Sequence, residues 1–329
     1  MQDAILDIKN LRTYFYTFDG VGRAVDGISY RLSDGEALGI VGESGCGKSV
    51  SALSVLRLIP DPPGRIVGGQ IFFNGMNLLE LTNNQMRKIR GNHVSMIFQE
   101  PMTSLNPVFT VGNQIAEAFR IHQGLERSEA IEKSIDMLRL VNIPSPEKRI
   151  DQYPHELSGG MRQRIMIAMA LACRPEILIA DEPTTALDVT IQAQIIDLML
   201  QLKEELGMAI ILITHDLGII AKTVERVIVM YAGKIVEEAS TRTIFREPAH
   251  PYTRGLMQAM PRLGDKIKLG RVRLAEIPGV VPSLYGLPPG CSFSTRCPSV
   301  MAVCKKEEPE LQEMDDRHFC RCWLTCKEG

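Results

Sequence analysis

Gly42-Glu43-Ser44-Gly45-Cys46-Gly47-Lys48-Ser49 decides the reading of this chain. The stretch fits G-x-x-x-x-G-K-[ST], a glycine-rich turn whose backbone N–H groups can wrap nucleotide phosphates. Its surroundings fit as well. Ala37-Leu38-Gly39-Ile40-Val41 is a short apolar run of the kind a buried strand makes, and Ser49 to Leu58 reads as a helix stopped near Pro60. Strand, loop and helix in that order are the context the motif needs. N–H groups of Gly45 to Ser49 would meet phosphate oxygens at the positive end of that helix. Lys48 would reach the β- and γ-phosphates, and the Ser49 hydroxyl would hold Mg²⁺. The candidate nucleotide-binding residues of the loop are Gly42, Ser44, Gly45, Cys46, Gly47, Lys48 and Ser49. A glycine-rich turn carrying a chance Lys-Ser is the rival reading, and the flanking strand and helix weigh against it.

Two more stretches stand downstream. Leu157-Ser158-Gly159-Gly160-Met161 comes about a hundred residues later, followed by Ile177-Leu178-Ile179-Ala180-Asp181-Glu182. Asp181 ends an apolar strand, where a carboxylate is costly unless it serves a cation such as Mg²⁺. Glu182, next to it, could polarise a water for attack on the γ-phosphate. An acidic pair before Pro183 is the plainer alternative.

Around these motifs the chain alternates. Ser95-Met96-Ile97-Phe98 reads as a strand ending at Gln99. Val111 to Gln123 and Arg127 to Leu140 read as amphipathic helices, so residues of about 100–170 look like a helical insertion. Strands return at Ile177–Ala180, Ala209–Thr214 and Val227–Met230. Alternating strands and helices imply an α/β core with a mainly parallel sheet covered on both faces. Beyond about Pro248 proline and glycine accumulate and periodicity is lost, which predicts a tail that builds no conventional core. The expected division is 1–248 for the nucleotide-binding domain and 249–329 for the extension.

Composition narrows the classes. The chain has 329 residues, a formal net charge of −2 and no strong basic patch, which argues against a nucleic-acid partner. Its longest apolar run, Ile165 to Cys173, is far short of a bilayer span of roughly 18–20 residues. Met1-Gln2-Asp3-Ala4 lacks a secretory pattern, so a cytoplasmic location is expected. Cys46 and Cys173 lie in the body, whereas Cys291, Cys297, Cys304, Cys320, Cys322 and Cys326 crowd the end. In a cytosolic chain such crowding reads as metal binding before disulfides.

Leu157-Ser158-Gly159-Gly160-Met161-Arg162-Gln163-Arg164 resembles the signature of ATP-binding-cassette ATPases. The resemblance spans roughly residues 5–245. It implies a P-loop, RecA-like core with an N-terminal antiparallel β-region and an inserted α-helical subdomain. In that family the signature opens a helix, and Ser158 and Gly160 close in trans over ATP held by a second cassette. Gln99 resembles the glutamine that senses Mg²⁺ and the attacking water, and His215 the histidine at the γ-phosphate. The resemblance thus makes Glu182, His215 and Gln99 catalytic, with Ser49, Gln99 and Asp181 at Mg²⁺. Ala186-Leu187-Asp188 resembles the loop that links the two sites. Phe15 matches the aromatic that stacks on adenine, with Tyr14 or Tyr16 as alternatives. One phosphate loop and one signature require a second cassette.

Within the family the chain resembles ATP-binding subunits of dipeptide and oligopeptide importers. The residues that carry this are Ala24 to Ser29, Gln99 to Pro107, Tyr153 to Leu157, Pro248-Ala249-His250-Pro251-Tyr252-Thr253, Ile277 to Pro282 and the cysteine tail. Val50 after Lys48-Ser49 resembles the D-type subunit, which implies a heterodimer. The implied partners are two membrane permease subunits, docked on the groove that begins at Gln99 to Pro107, and indirectly an extracytoplasmic peptide-binding protein. The implied location is the cytoplasmic face of a bacterial or archaeal membrane. Nickel, glutathione or another small solute is an alternative cargo, and a soluble non-transport cassette an alternative class. Cys291-x5-Cys297-x6-Cys304-x17-Cys322 supplies four thiolates for a [4Fe–4S] cluster or zinc. The absence of short C-x2-C pairs and the importer resemblance both favour iron–sulfur. Cys322 is preferred as fourth ligand, with Cys320, Cys326 or His318 as alternatives. The expected role is to brace the tail.

Overall fold

The computed structural model describes residues 4–99, 105–185, 187–260 and 276–325. Strands β1 (Ala4–Thr17), β2 (Gly20–Ser33) and β3 (Ala37–Val41) lead into helix α1 (Lys48–Val55). Then come β4 (Gly64–Phe73), β5 (Met76–Asn77), α2 (Asn83–Ile89) and β6 (Val94–Ile97). A helical run follows: α3 (Val111–Gln123), α4 (Arg127–Leu140), α5 (Pro146–Arg149) and α6 (Gly159–Leu171). After it lie β7 (Ile177–Asp181), α7 (Val189–Leu206), β8 (Ala209–Ile213), α8 (Leu217–Thr223), β9 (Arg226–Tyr231) and β10 (Lys234–Ser240). α9 (Thr241–Arg246) follows, and the extension adds α10 (Pro251–Ala259), β11 (Gln312–Asp315) and β12 (His318–Cys320).

The chain divides into two compact units. One comprises Met1–Ile5, Leu32–Ala37 and Phe73–Ile213; the other comprises Leu6–Arg31, Leu38–Phe72 and Thr214–Gly329. In the first, β6, β7 and β8 run parallel, with Met96 opposite Ile179 and Ile179 opposite Ile211. Every residue of these three strands is buried. That explains their unbroken apolar sequences, since a parallel sheet is covered on both faces. Helices α3 and α4 occupy the bounds their periodicity predicts. Thr110 caps α3 by accepting from the Asn113 N–H, and Gly124 ends it in the left-handed region.

In the second unit β3 pairs in parallel with β9, and β9 pairs antiparallel with β10. β10 continues to β12 and β11, both antiparallel. A separate sheet carries the order β2-β1-β4. The expectation of a tail without a core is corrected here. Tyr231, Tyr252 and Phe293 are almost fully buried and pack tilted or edge-on against one another, and His250 packs against Phe293, with ring centroids 4.7 to 5.7 Å apart. Four aromatic rings bury enough apolar surface to replace a periodic helix face. The helix α10 is also absent from the sequence reading, although Pro251 at its first turn and His250 as its cap are ordinary start signals. Other differences are small: α1 ends at Val55 rather than Leu58, and β6 begins one residue before Ser95.

Candidate active site

The phosphate loop is built for close approach. Gly42 has φ 152° and Gly47 φ 100°; a Cβ on the first would meet the Met230 carbonyl at 2.3 Å, and on the second the Ala24 carbonyl at 2.1 Å. Only glycine fits either place. Gly47 also caps α1 in the left-handed region and makes no side-chain cap bond. The N-terminus of a helix attracts anions, so the loop fits nucleotide phosphates. Lys48, 5% exposed, turns its Nζ back into the loop and donates to the carbonyls of Gly42 (2.8 Å) and Glu43 (3.0 Å). Cys46 is fully buried beside it, and burial pushes its thiol pKa up. Ser44 and Gly45 are exposed at the loop tip, and Ser49 opens α1 half-buried.

In the other unit Glu182 follows β7 with φ 46° and donates its N–H to the Ile213 carbonyl. Its Oε2 accepts from Gln99 Nε2 at 3.2 Å and from Thr185 Oγ1 at 3.0 Å. Two residues chosen from separate motifs therefore meet at one carboxylate. Asp181, 3% exposed, is the buried end of β7. Ser158 caps α6 by accepting from the Met161 N–H at 3.3 Å, as its position before the glycine pair predicts. Gly160 sits one residue inside that helix, where a Cβ would crowd Ile191 at 3.0 Å. His215 is exposed after β8, one residue before the Asp216 cap of α8. Of the expected linking loop, Ala186 lies outside the described residues; Asp188 caps α7. Most of the groove stretch, 100–104, also lies outside them.

The three aromatics of β1 part company. Tyr14 donates to Asp26 Oδ1 at 2.6 Å, and burial with that bond raises its pKa to about 12. Tyr14 and Tyr16 line a cleft of about 690 Å³ with Arg23, Asp26, Lys234 and Tyr285. Phe15 is half-buried on the other side, where its ring edge packs beside Gly64. The alternation is that of any strand.

Cys291, Cys297, Cys304 and Cys322 line one small cavity together with Phe293 and Trp323. Burial, with the other three cysteines adding to it, raises the Cys291 thiol to about 11, and Phe293 N–H donates to its sulfur. Cys297 is likewise raised by burial. Among the described residues no three His, Cys, Asp or Glu side chains stand as they are in a metal-holding arrangement. The cavity brings together the four thiols expected as ligands. Of the alternatives, Cys320 lies on β12 opposite Glu237 and does not line the cavity. His318 gives its Nε2 to Glu237 Oε1 at 2.8 Å instead. Cys326 lies outside the described residues.

The sequence pattern described as ABC transporter matches residues 25–185, and the one described as oligopeptide/dipeptide transporter, C-terminal region, matches 236–304. A relative named "Probable peptide ABC transporter ATP-binding protein y4tR" from Sinorhizobium fredii is 58% identical over 323 residues, covering 98% of this chain and 96% of the relative. The chain belongs to the ABC transporter ATPases that carry the oligopeptide/dipeptide C-terminal region. The dipeptide transport ATP-binding protein DppD of Haemophilus influenzae is 52% identical over 95% of this chain and 94% of its own length. Among solved structures, the dimeric cassette MJ0796 bound to ADP and Pi superposes with a TM-score of 0.64 at 26% identity, covering 72% of this chain and 99% of the other. Membership makes this chain an ATPase that uses ATP and Mg²⁺. No helix among the described residues is long and apolar enough to cross a membrane.

Proposed function

We propose that the chain energises import of di- and oligopeptides as the D-type ATPase subunit of a membrane transporter. The observation that carries this is the pairing of a complete phosphate loop with the peptide-importer C-terminal region in one chain. Lys48 and the loop N–H groups bind the phosphates, and Phe15 contacts adenine. Ser49, Gln99 and Asp181 hold Mg²⁺. Glu182, steadied by Gln99 and Thr185, orients the attacking water, and His215 meets the γ-phosphate. Ser158 and Gly160 serve the site of a second cassette, so closure on ATP and opening after hydrolysis form a two-state switch.

The partner cassette differs from this chain, and two permease subunits dock on the unit that holds Gln99. Support comes from Phe98, Val108 and Phe109, which are 41%, 71% and 52% exposed around the groove stretch. Large apolar side chains left in water mark an interaction surface. The complex sits at the cytoplasmic face of the membrane and receives cargo from an extracytoplasmic binding protein.

The four cavity cysteines hold a [4Fe–4S] cluster in this reading. It would supply cross-links between Cys291, Cys297, Cys304 and Cys322. The peptide assignment is tested in vesicles holding this chain, its partner cassette, the permease pair and the binding protein. ATP-driven uptake of a labelled dipeptide is expected. Uptake of nickel or glutathione with no dipeptide uptake would overturn the cargo assignment.

A further inference from the structure

Glu43, the second residue of the phosphate loop, is gripped by the C-terminal extension. Arg296 Nη1 donates to Glu43 Oε2 at 2.6 Å and Nη2 to Oε1 at 3.0 Å, a two-pronged bond between residues 253 positions apart. The Glu43 N–H donates to the Tyr252 hydroxyl at 2.8 Å. The Glu43 carbonyl accepts from Lys48 Nζ. Every polar group of this loop residue is thereby occupied, all but the carbonyl by residues of the extension.

Arg296 is itself held rigidly. Its Nε donates to the Pro278 carbonyl at 3.1 Å, and Nη2 also donates to the Ile277 carbonyl at 3.2 Å. Nη1 reaches the Tyr231 hydroxyl at 3.4 Å. The residue is 6% exposed, and the Glu43 bond pushes its pKa further up. Tyr252 is 0% exposed within the aromatic cluster. A buried guanidinium with all its donors directed cannot follow a moving partner, so it fixes that partner. Cys297 of the cysteine cavity is the next residue in the chain.

We propose that the extension sets the shape of the phosphate loop through Glu43, with Arg296 and Tyr252 as positioning residues for ATP binding. Holding the first half of the loop leaves less freedom to lose when phosphates arrive, which raises affinity without touching them. The inference rests on the loop being the phosphate site, and Lys48→Ala tests that separately.

The experiment measures ATP affinity of the full chain with a fluorescent ATP analogue, and KM and kcat of the assembled transporter. Arg296→Lys keeps the charge and loses the fork; Tyr252→Phe keeps the ring and loses the acceptor. Each should weaken ATP binding by about tenfold, seen as a raised KM with kcat within about twofold. Glu43→Gln should weaken binding similarly, and Glu43→Gln with Arg296→Lys no more than either alone. A role confined to stability would lower the melting temperature and leave KM unchanged. ATP affinity within twofold of native in both Arg296→Lys and Tyr252→Phe, with Lys48→Ala abolishing binding, would overturn the inference. So would additive effects of Glu43→Gln and Arg296→Lys. Retained binding in Lys48→Ala would overturn the phosphate-site reading itself. Should Arg296→Lys fail to fold, Tyr252→Phe and Glu43→Gln decide.

Discussion

Glu237→Gln should loosen the extension more than any surface change. Glu237 on β10 is 0% exposed. Its Oε1 accepts from the Ala249 N–H at 2.7 Å and from His318 Nε2 at 2.8 Å; its Oε2 accepts from the His250 N–H at 2.9 Å. One carboxylate thus ties together the start of α10 and strand β12. An amide has one oxygen, so its NH₂ must face a donor in either orientation. The less costly orientation sacrifices the His250 bond and sets two N–H groups against each other. Losing one charge-assisted bond and stranding a buried donor costs about 2–4 kcal/mol. Loss of negative charge at the helix start adds a few tenths, roughly 0.3–1 kcal/mol. Trp323 is the single tryptophan of the chain and lies in the extension, its Nε1 bonded to the Glu307 carbonyl at 3.1 Å. Its fluorescence during urea unfolding therefore reports the region at stake. With a slope of about 3 kcal/mol per molar urea, as suits a large chain, the midpoint should fall by roughly 1–2 M. Glu237→Ala, which leaves all three donors facing a void, should fall further. A Glu237→Gln midpoint within about 0.3 M of native would refute the claim that these three bonds fasten the extension.

Glu182→Gln should keep ATP affinity and lower phosphate release at least about a hundredfold, because the group that orients water is lost while Lys48 remains; hydrolysis within tenfold of native would remove Glu182 from that role. His250 is buried, which lowers its pKa to about 3. An unfolded chain binds a proton there near pH 6.5, so the stabilisation is complete above pH 6.5 and is lost as pH falls towards 3. His250→Gln, able to keep the Tyr252 N–H bond, should flatten the acid limb of Trp323-monitored stability between those pH values; an unchanged limb would contradict the assignment. Protein purified without oxygen should hold about four irons and four sulfides per chain, and Cys291→Ser should lower both. One zinc without sulfide would replace the cluster with a zinc site.

Much of the ATPase was legible because its information is local. The loop from Gly42 to Ser49 is spelled by backbone demands within eight residues, and Ser158 announces its helix by capping it. Helices α3 and α4 show their faces through spacing alone. Strand β10 was not legible. Its sequence, Lys234-Ile235-Val236-Glu237-Glu238-Ala239-Ser240, sets two glutamates in the middle, and composition assigns glutamate to water. Both are buried because a register shift between Ile235 and Glu237 bulges the strand while β9 and β12 flank it. Glu238 then pairs with Arg226 and Glu237 with the extension.

The same physical reason hid the contact at Glu43. Arg296 and Tyr252 lie 253 and 209 positions away from it, and no period or spacing encodes a pairing across such distance. A local signal did exist: Pro248-Ala249-His250-Pro251-Tyr252-Thr253 has the cap and first-turn proline of a helix, which buries Tyr252 next to the loop. The buried charges of the extension therefore have a common direction. Glu237 receives α10 and β12, α10 delivers Tyr252 to Glu43, and Arg296 closes on the same residue from the cysteine-bearing loops. Apolar residues of matching shape could hold the extension with equal or greater strength. Directional polar bonds do what apolar packing cannot, which is to fix one residue of the phosphate loop in one place.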